Sequence, residues 1–150
     1  MQSFDDLVAE FLARDKIALN RPRWVIKPHS DYASAALRIA VPDMRHMAGR
    51  VILTAHRVRK PPKFGFALIY RGERILALDV NPARFHRNLL VPAAIGGTHW
   101  QQWPAIEAEP DATDQGYSLW LHAFFGRANV FCNFPVGLPP QGVQLRLLDD

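Results

Sequence analysis

The alternation of apolar and polar positions is clearest in the middle of the chain. Phe64, Phe66, Leu68 and Tyr70 are separated by Gly65, Ala67 and Ile69, a period of two that predicts a strand over residues 63–70 with the four large side chains on one face. A mostly apolar run predicts a strand at residues 50–58, and another follows at residues 74–80. Arg71-Gly72 is short enough to join the last two as a hairpin. Pro82 ends this platform, because it has no N–H for a ladder and biases Asn81 toward extended or turn geometry. Two polar loops are expected after it. Residues 81–88 carry Arg84, His86 and Arg87, and residues 96–100 run from Gly96-Gly97 into Thr98-His99-Trp100.

Toward the amino terminus the period changes. Ser3 and Asp6 head an apolar rhythm at Phe4, Leu7, Val8, Phe11 and Leu12, which predicts a capped amphipathic helix of about 12 to 15 residues. A second helix is expected at residues 117–125, from Leu119, Trp120, Ala123 and Phe124, with Gly126 as its carboxy-terminal cap. Shorter strands are expected at residues 24–28, 35–41, 128–134 and 143–148. In the second of these, Leu37, Ile39 and Val41 share one face and Arg38 takes the other. Gly49 is expected to close the connection that begins at the Pro42-Asp43 turn, residues 89–95 to form an apolar link, and residues 105–116 an acidic surface connection. Helix, strands, helix, strands predicts an α+β fold: one domain over residues 1–150, with a mainly antiparallel sheet of about five to seven strands covered on one side by two packed helices.

Composition narrows the function classes. A chain of 150 residues that is 49% hydrophobic has enough apolar bulk for a core without disulfide staples. Cys132 is the only cysteine, which excludes an internal disulfide and a multi-cysteine zinc site, and it reads as a small buried hydrophobe. No apolar run reaches the roughly 18 residues of a membrane span, and no signal-like segment opens the chain, so a soluble cytoplasmic protein with no membrane partner is expected.

The formal charge is +4, and its distribution matters more than its size. Between Met44 and Asn88 ten basic residues face only Glu73 and Asp79, whereas Glu107, Glu109, Asp111 and Asp114 come later. That polarity favours an anionic partner for the central region. Arg59-Lys60-Pro61-Pro62-Lys63 is a basic loop stiffened by two prolines, suited either to a solvated turn or to phosphate contacts, which position a nucleic acid without reading its sequence.

Candidate chemistry lies in the polar loops. His86 and His99 flank the apolar link; folded together on one phosphodiester, one ring would take the proton of a ribose hydroxyl and the other would protonate the leaving oxygen. Arg84 and Arg87, with Lys60 and Lys63, would stabilise the phosphoryl charge. The implied activity is metal-independent endoribonuclease cleavage ending in a cyclic phosphate, with His86, His99, Arg84 and Arg87 as catalytic candidates. Arg59, Lys60 and Lys63 are RNA-binding candidates. Trp100, Gln101 and Trp103 join them, for stacking on and hydrogen bonding to single-stranded RNA, although both tryptophans also suit a role covering the end of the sheet. No cofactor is expected and no metal: His86, His99 and Asp79 fall short of a structural zinc set and lack a catalytic spacing. No nucleotide-binding glycine fingerprint, Walker motif, zincin helix or nucleophile elbow is present.

Between Phe64 and Trp100, a strand ending in Leu78-Asp79-Val80-Asn81, a histidine-containing loop and then Thr98-His99 with aromatics following resembles the TumE-like toxin proteins. The resemblance implies RNA degradation, a cognate antitoxin as partner, and functional roles for Asp79, Asn81, His86 and His99. It departs from the family at Trp100 and Gln101, where a further histidine is expected. Two other classes stay open: a non-catalytic adaptor or inhibitor, mobile-element or phage-associated, that binds a protein through the region of Trp100 to Trp103 and the first helix; and a metal or small-molecule enzyme.

Overall fold

A computed structural model gives the structure of residues 2–59, 61–82, 97–105 and 107–140. The expected link at residues 89–95 and strand at residues 143–148 lie outside the described residues, as do Lys60, Arg84, His86 and Arg87.

Among the described residues nine strands form one sheet: β1 (Lys16–Ala18), β2 (Val25–Ile26), β3 (Tyr32–Val41), β4 (Met44–His56), β5 (Lys63–Tyr70), β6 (Glu73–Val80), β7 (His99–Gln102), β8 (Glu109–Pro110) and β9 (Val130–Phe131). Their order is β8-β7-β6-β5-β4-β3-β1-β9, with β2 also pairing β3. Every pair is antiparallel except β1 with β9. The α+β architecture is as expected, but with more strands than five to seven. The strands not expected are β1, β7 and β8, each two to four residues long and too short to carry a readable period.

The central alternation builds the core. Phe64, Phe66, Leu68 and Tyr70 are buried together on one face of β5, and their ladder partners Leu53, Val51, Leu78 and Leu76 are buried with them. Helix α1 (Phe4–Ala13) packs here through Phe11, whose ring stacks on Tyr70 at 4.2 Å. Helix α2 (Tyr117–Ala128) packs on the same face through Phe124, 5.6 Å from Phe66. Both helices therefore cover one side, and among the described residues no helix covers the other.

Several local expectations are corrected. Gly49 does not close a loop; it lies inside β4, where a Cβ would run into Ile69 O and approach Phe11 Cζ to 3.2 Å. The glycine admits helix α1 rather than a turn. Arg71 and Gly72 make the expected hairpin, with φ 51° and 81°, the left-handed pair that suits a two-residue turn. Helix α2 runs past Gly126 and is capped by Asn129 at φ 56°. Helix α1 has the expected Ser3–Asp6 capping box but stops at Ala13, shorter than expected, because the chain turns into β1 at Lys16.

Lys16 explains that turn. It is fully buried, its Nζ donating to Phe11 O, Leu12 O and Arg14 O at 2.5, 3.3 and 2.6 Å. An ammonium group thus satisfies carbonyls at the end of α1, where the helix dipole is negative. Burial nevertheless pushes its pKa down to about 8.

Candidate functional site

The alternation that fills the core also composes the opposite face. Ladder registers carry side chains across that face in rows. One row is Tyr32, His56 and Lys63; the next is Ser34, Thr54, Gly65, Asp79 and His99. Ala36, Ile52, Ala67, Ala77 and Gln101 follow, and then Arg38, Arg50, Ile69 and Arg74.

The last row is cationic. Arg38, Arg50 and Arg74 are all exposed, and none pairs with a carboxylate among the described residues. A register shift aims Arg74. Strict alternation from Leu78 and Leu76 would point residue 74 into the core, but the ladder slips between Leu68 and Ile69, so Ile75 is left over and Arg74 stands opposite Ile69. Such a bulge re-aims one side chain without ending the strand. Ile75 and Leu76 are both buried as a result.

At the other end of β5, Lys63 Nζ lies 3.3 Å from Tyr32 OH and 5.8 Å over its ring. His56 packs edge-on against the same ring at 5.0 Å, accepts from Arg59 N at 3.1 Å through Nδ1, and has Nε2 4.0 Å from Asp31 Oδ2. The expected basic loop thus meets the sheet through Lys63 and the Arg59 backbone.

His99 stands on strand β7, not on a loop, and faces the helix-free side beside Asp79. Its Nδ1 is 2.7 Å from Gly97 O and its Nε2 3.3 Å from Asp79 Oδ2. A carbonyl oxygen only accepts, so Nδ1 carries the hydrogen, and Nε2 is turned to the carboxylate. The paired-histidine scheme needs a ring nitrogen turned to substrate, whereas both of His99's face protein oxygens. Next to it, the buried Thr98 accepts from Asn81 N at 2.9 Å through Oγ1, and the buried Asn81 Oδ1 has no hydrogen-bond partner among the described residues.

Asp79 Oδ1 points across Gly65 toward Thr54, and neither Oδ1 nor Thr54 Oγ1 has a hydrogen-bond partner among the described residues. A Cβ on Gly65 would run into Thr54 Oγ1 and lie 3.6 Å from Asp79 Oδ1. The missing side chain makes room for the Thr54 hydroxyl, which with Asp79 Oδ1 borders a shallow notch over the glycine.

Both tryptophans make packing contacts, Trp100 buried and Trp103 half-buried. Trp100 is 6% exposed, on the helix side of β7, with Phe124 stacked at 6.2 Å and the Arg127 guanidinium over the ring at 4.6 Å. Its Nε1 donates to Asp111 Oδ2 at 3.0 Å. Burial alone would raise the Asp111 carboxyl, but hydrogen bonds from Thr113 and Trp100 hold it below its ordinary range. Trp103 packs edge-on against Phe4 at 5.4 Å and donates to Asp5 Oδ1, tying β7 to α1. Gln101, by contrast, lies on the helix-free side in register with Ala77.

Arg38, Arg50, Arg74, Thr54 and Gly65 were not among the residues singled out from sequence. Arg38 and Arg50 fall on the polar beat of their strands, a signal that was legible. The notch and Arg74 depend on register and on the bulge. Among the described residues no group of three or more His, Cys, Asp or Glu side chains is arranged to hold a metal ion, and no helix is long and apolar enough to cross a membrane. No protein-family model matches the chain, and comparison with curated proteins and with solved structures gives no significant match.

Proposed function

We propose that the helix-free face of the sheet binds single-stranded RNA, as a toxin-type RNA-binding protein would. The observation that carries this reading is the row of Arg38, Arg50 and Arg74, three exposed guanidinium groups with no carboxylate partner among the described residues. Arginine is the side chain best matched to phosphate oxygens, and like charges directly opposite each other destabilise a sheet unless an anion lies between them. Lys63 supplies a second cationic point, six residues further along β5, which is about 20 Å at the rise of a strand. Between the two ends the floor is Ala67 and Gly65, low enough for an extended backbone to lie along β5.

Among the described residues of the rows from Lys63 to the arginines, only Tyr32 and histidines offer rings, so contacts to phosphate and sugar dominate and base preference is weak. Gain of fluorescence anisotropy by a labelled mixed-sequence RNA in excess chelator tests the reading. Binding that falls with salt and is weakened on replacing the three arginines by alanine supports it; no binding at low salt overturns it.

A protein-binding adaptor is the second reading, and a different observation favours it. An open apolar groove of about 470 Å³ runs beside α2, lined by Leu121, Phe125, Phe131 and Phe134, with Phe131 56% exposed. Cys132, only half-buried, lines the same groove rather than the core. RNA binding that survives Phe131→Asp and is weakened in the triple arginine variant separates the first reading from the second.

A further inference from the structure

We propose that the notch above Gly65 recognises the ribose 2′-hydroxyl, so that this face prefers RNA to DNA of the same sequence; the inference rests on the reading that the face takes a single strand. Gly65 sits on the path along β5 between the arginine row and Lys63, so a backbone following that path passes directly over the notch. The two walls differ in chemistry. An ionised Asp79 only accepts, and its Oδ2 is already turned to His99 Nε2 at 3.3 Å, which leaves Oδ1 facing the gap. Thr54 Oγ1 both donates and accepts, and occupies the space of the same missing Cβ. The ligand group that satisfies both walls is one that donates to a carboxylate and accepts from a hydroxyl. A ribose 2′-hydroxyl does both, and it is the group that distinguishes RNA from DNA.

His99 acts here as a positioning residue. Held through Nδ1 by Gly97 O at 2.7 Å, it fixes the Asp79 carboxylate so that Oδ1 stays over Gly65. A phosphate oxygen, which only accepts, would be repelled by Asp79; the backbone must present its sugar at this point and its phosphates at the arginines and Lys63.

The test compares three oligonucleotides of one sequence, single-stranded RNA, its 2′-deoxy form and its 2′-fluoro form, in excess chelator. The 2′-fluoro strand keeps the sugar pucker of RNA but has no hydroxyl hydrogen. Wild-type protein is expected to bind RNA about tenfold more tightly than either analogue, the scale of one hydrogen bond to a charged group. Asp79→Ala and Thr54→Val are each expected to bring the affinities for RNA and DNA together, with thermal unfolding verifying that each variant is folded. Gly65→Ala, which fills the notch, should do the same. Equal binding of RNA and DNA by wild type would overturn the notch and leave the face reading intact. Discrimination against DNA that persists in both Asp79→Ala and Thr54→Val, or 2′-fluoro RNA that binds as tightly as RNA, would also overturn it. Failure to bind any of the three strands would overturn the face reading and the notch with it.

Discussion

Arg38 and Arg50 stand directly opposite each other across the β3–β4 ladder on the helix-free side of the sheet. Directly opposed like charges destabilise an antiparallel pair, by about 0.2–1 kcal/mol on the scale of cross-strand interactions. Arg50→Thr is therefore expected to raise the unfolding midpoint slightly while weakening RNA binding. Urea unfolding and anisotropy on the same sample measure both. A variant that loses stability and keeps its affinity would contradict an anion-binding role for the pair.

Trp100 separates packing from recognition. Trp100→Phe retains a ring against Phe124 but removes the 3.0 Å bond to Asp111, at a cost of about 1–2 kcal/mol. RNA affinity of the folded variant should stay within about twofold of wild type, since the ring faces the helices. A large loss of affinity with little loss of stability would return Trp100 to the binding surface.

Two glycines predict opposite signs. Gly49→Ala drives a methyl group into Ile69 O and the Phe11 ring, and overpacking of this kind costs about 1–3 kcal/mol. Gly126→Ala, in α2 with nothing within 4 Å of its added Cβ, should gain up to about 1 kcal/mol of helix propensity. Thermal melts of the two variants check both signs at once.

Alkaline pH reads the buried Lys16. Its pKa of about 8 in the folded chain lies below the ordinary 10.5, so from pH 8 to 10.5 the unfolded chain binds the extra proton and stability rises with pH. Burial pushes the Tyr117 hydroxyl the other way, far up from 10. Above pH 10 the unfolded chain loses that proton first, and stability falls. Stability should therefore climb from pH 8 toward 10 and then turn over. Lys16→Met should abolish the climb and, by leaving carbonyls of α1 without their donor, cost about 1–3 kcal/mol at neutral pH. Tyr117→Phe should remove the fall. Chemical denaturation at a series of pH values follows all three proteins.

The sequence made the platform legible where the period was long. Lys63–Tyr70 has the expected bounds, and Ser3 with Asp6 caps α1 as predicted. Gly49 misled because a glycine that admits a close approach has the same sequence signature as one that makes a turn. Strand β7 was hidden because His99, Trp100, Gln101 and Gln102 are too few to establish a period, and their pairing to β6 is a contact distant in sequence. The candidate site was legible only in part. Asp79, His99 and Lys63 were named, but Thr54 and Gly65 acquire meaning only from the register that sets them beside Asp79, and Arg74 only from the bulge before it. Trp100 and Trp103 offered two readings from sequence, and their partners Phe124, Asp111, Phe4 and Asp5 lie on helices and a loop whose docking the sequence does not reveal.

The most direct test of RNA binding by the helix-free face is the salt dependence of affinity for single-stranded RNA, for wild type and for the Arg38→Ala, Arg50→Ala, Arg74→Ala triple variant. Each phosphate contact on a single strand contributes about −0.7 to the slope of log affinity against log salt, so three arginines and Lys63 predict a slope of about −3 for wild type and about −1 for the variant. A slope that the three substitutions leave unchanged, or an RNA that does not bind at all, would contradict the account.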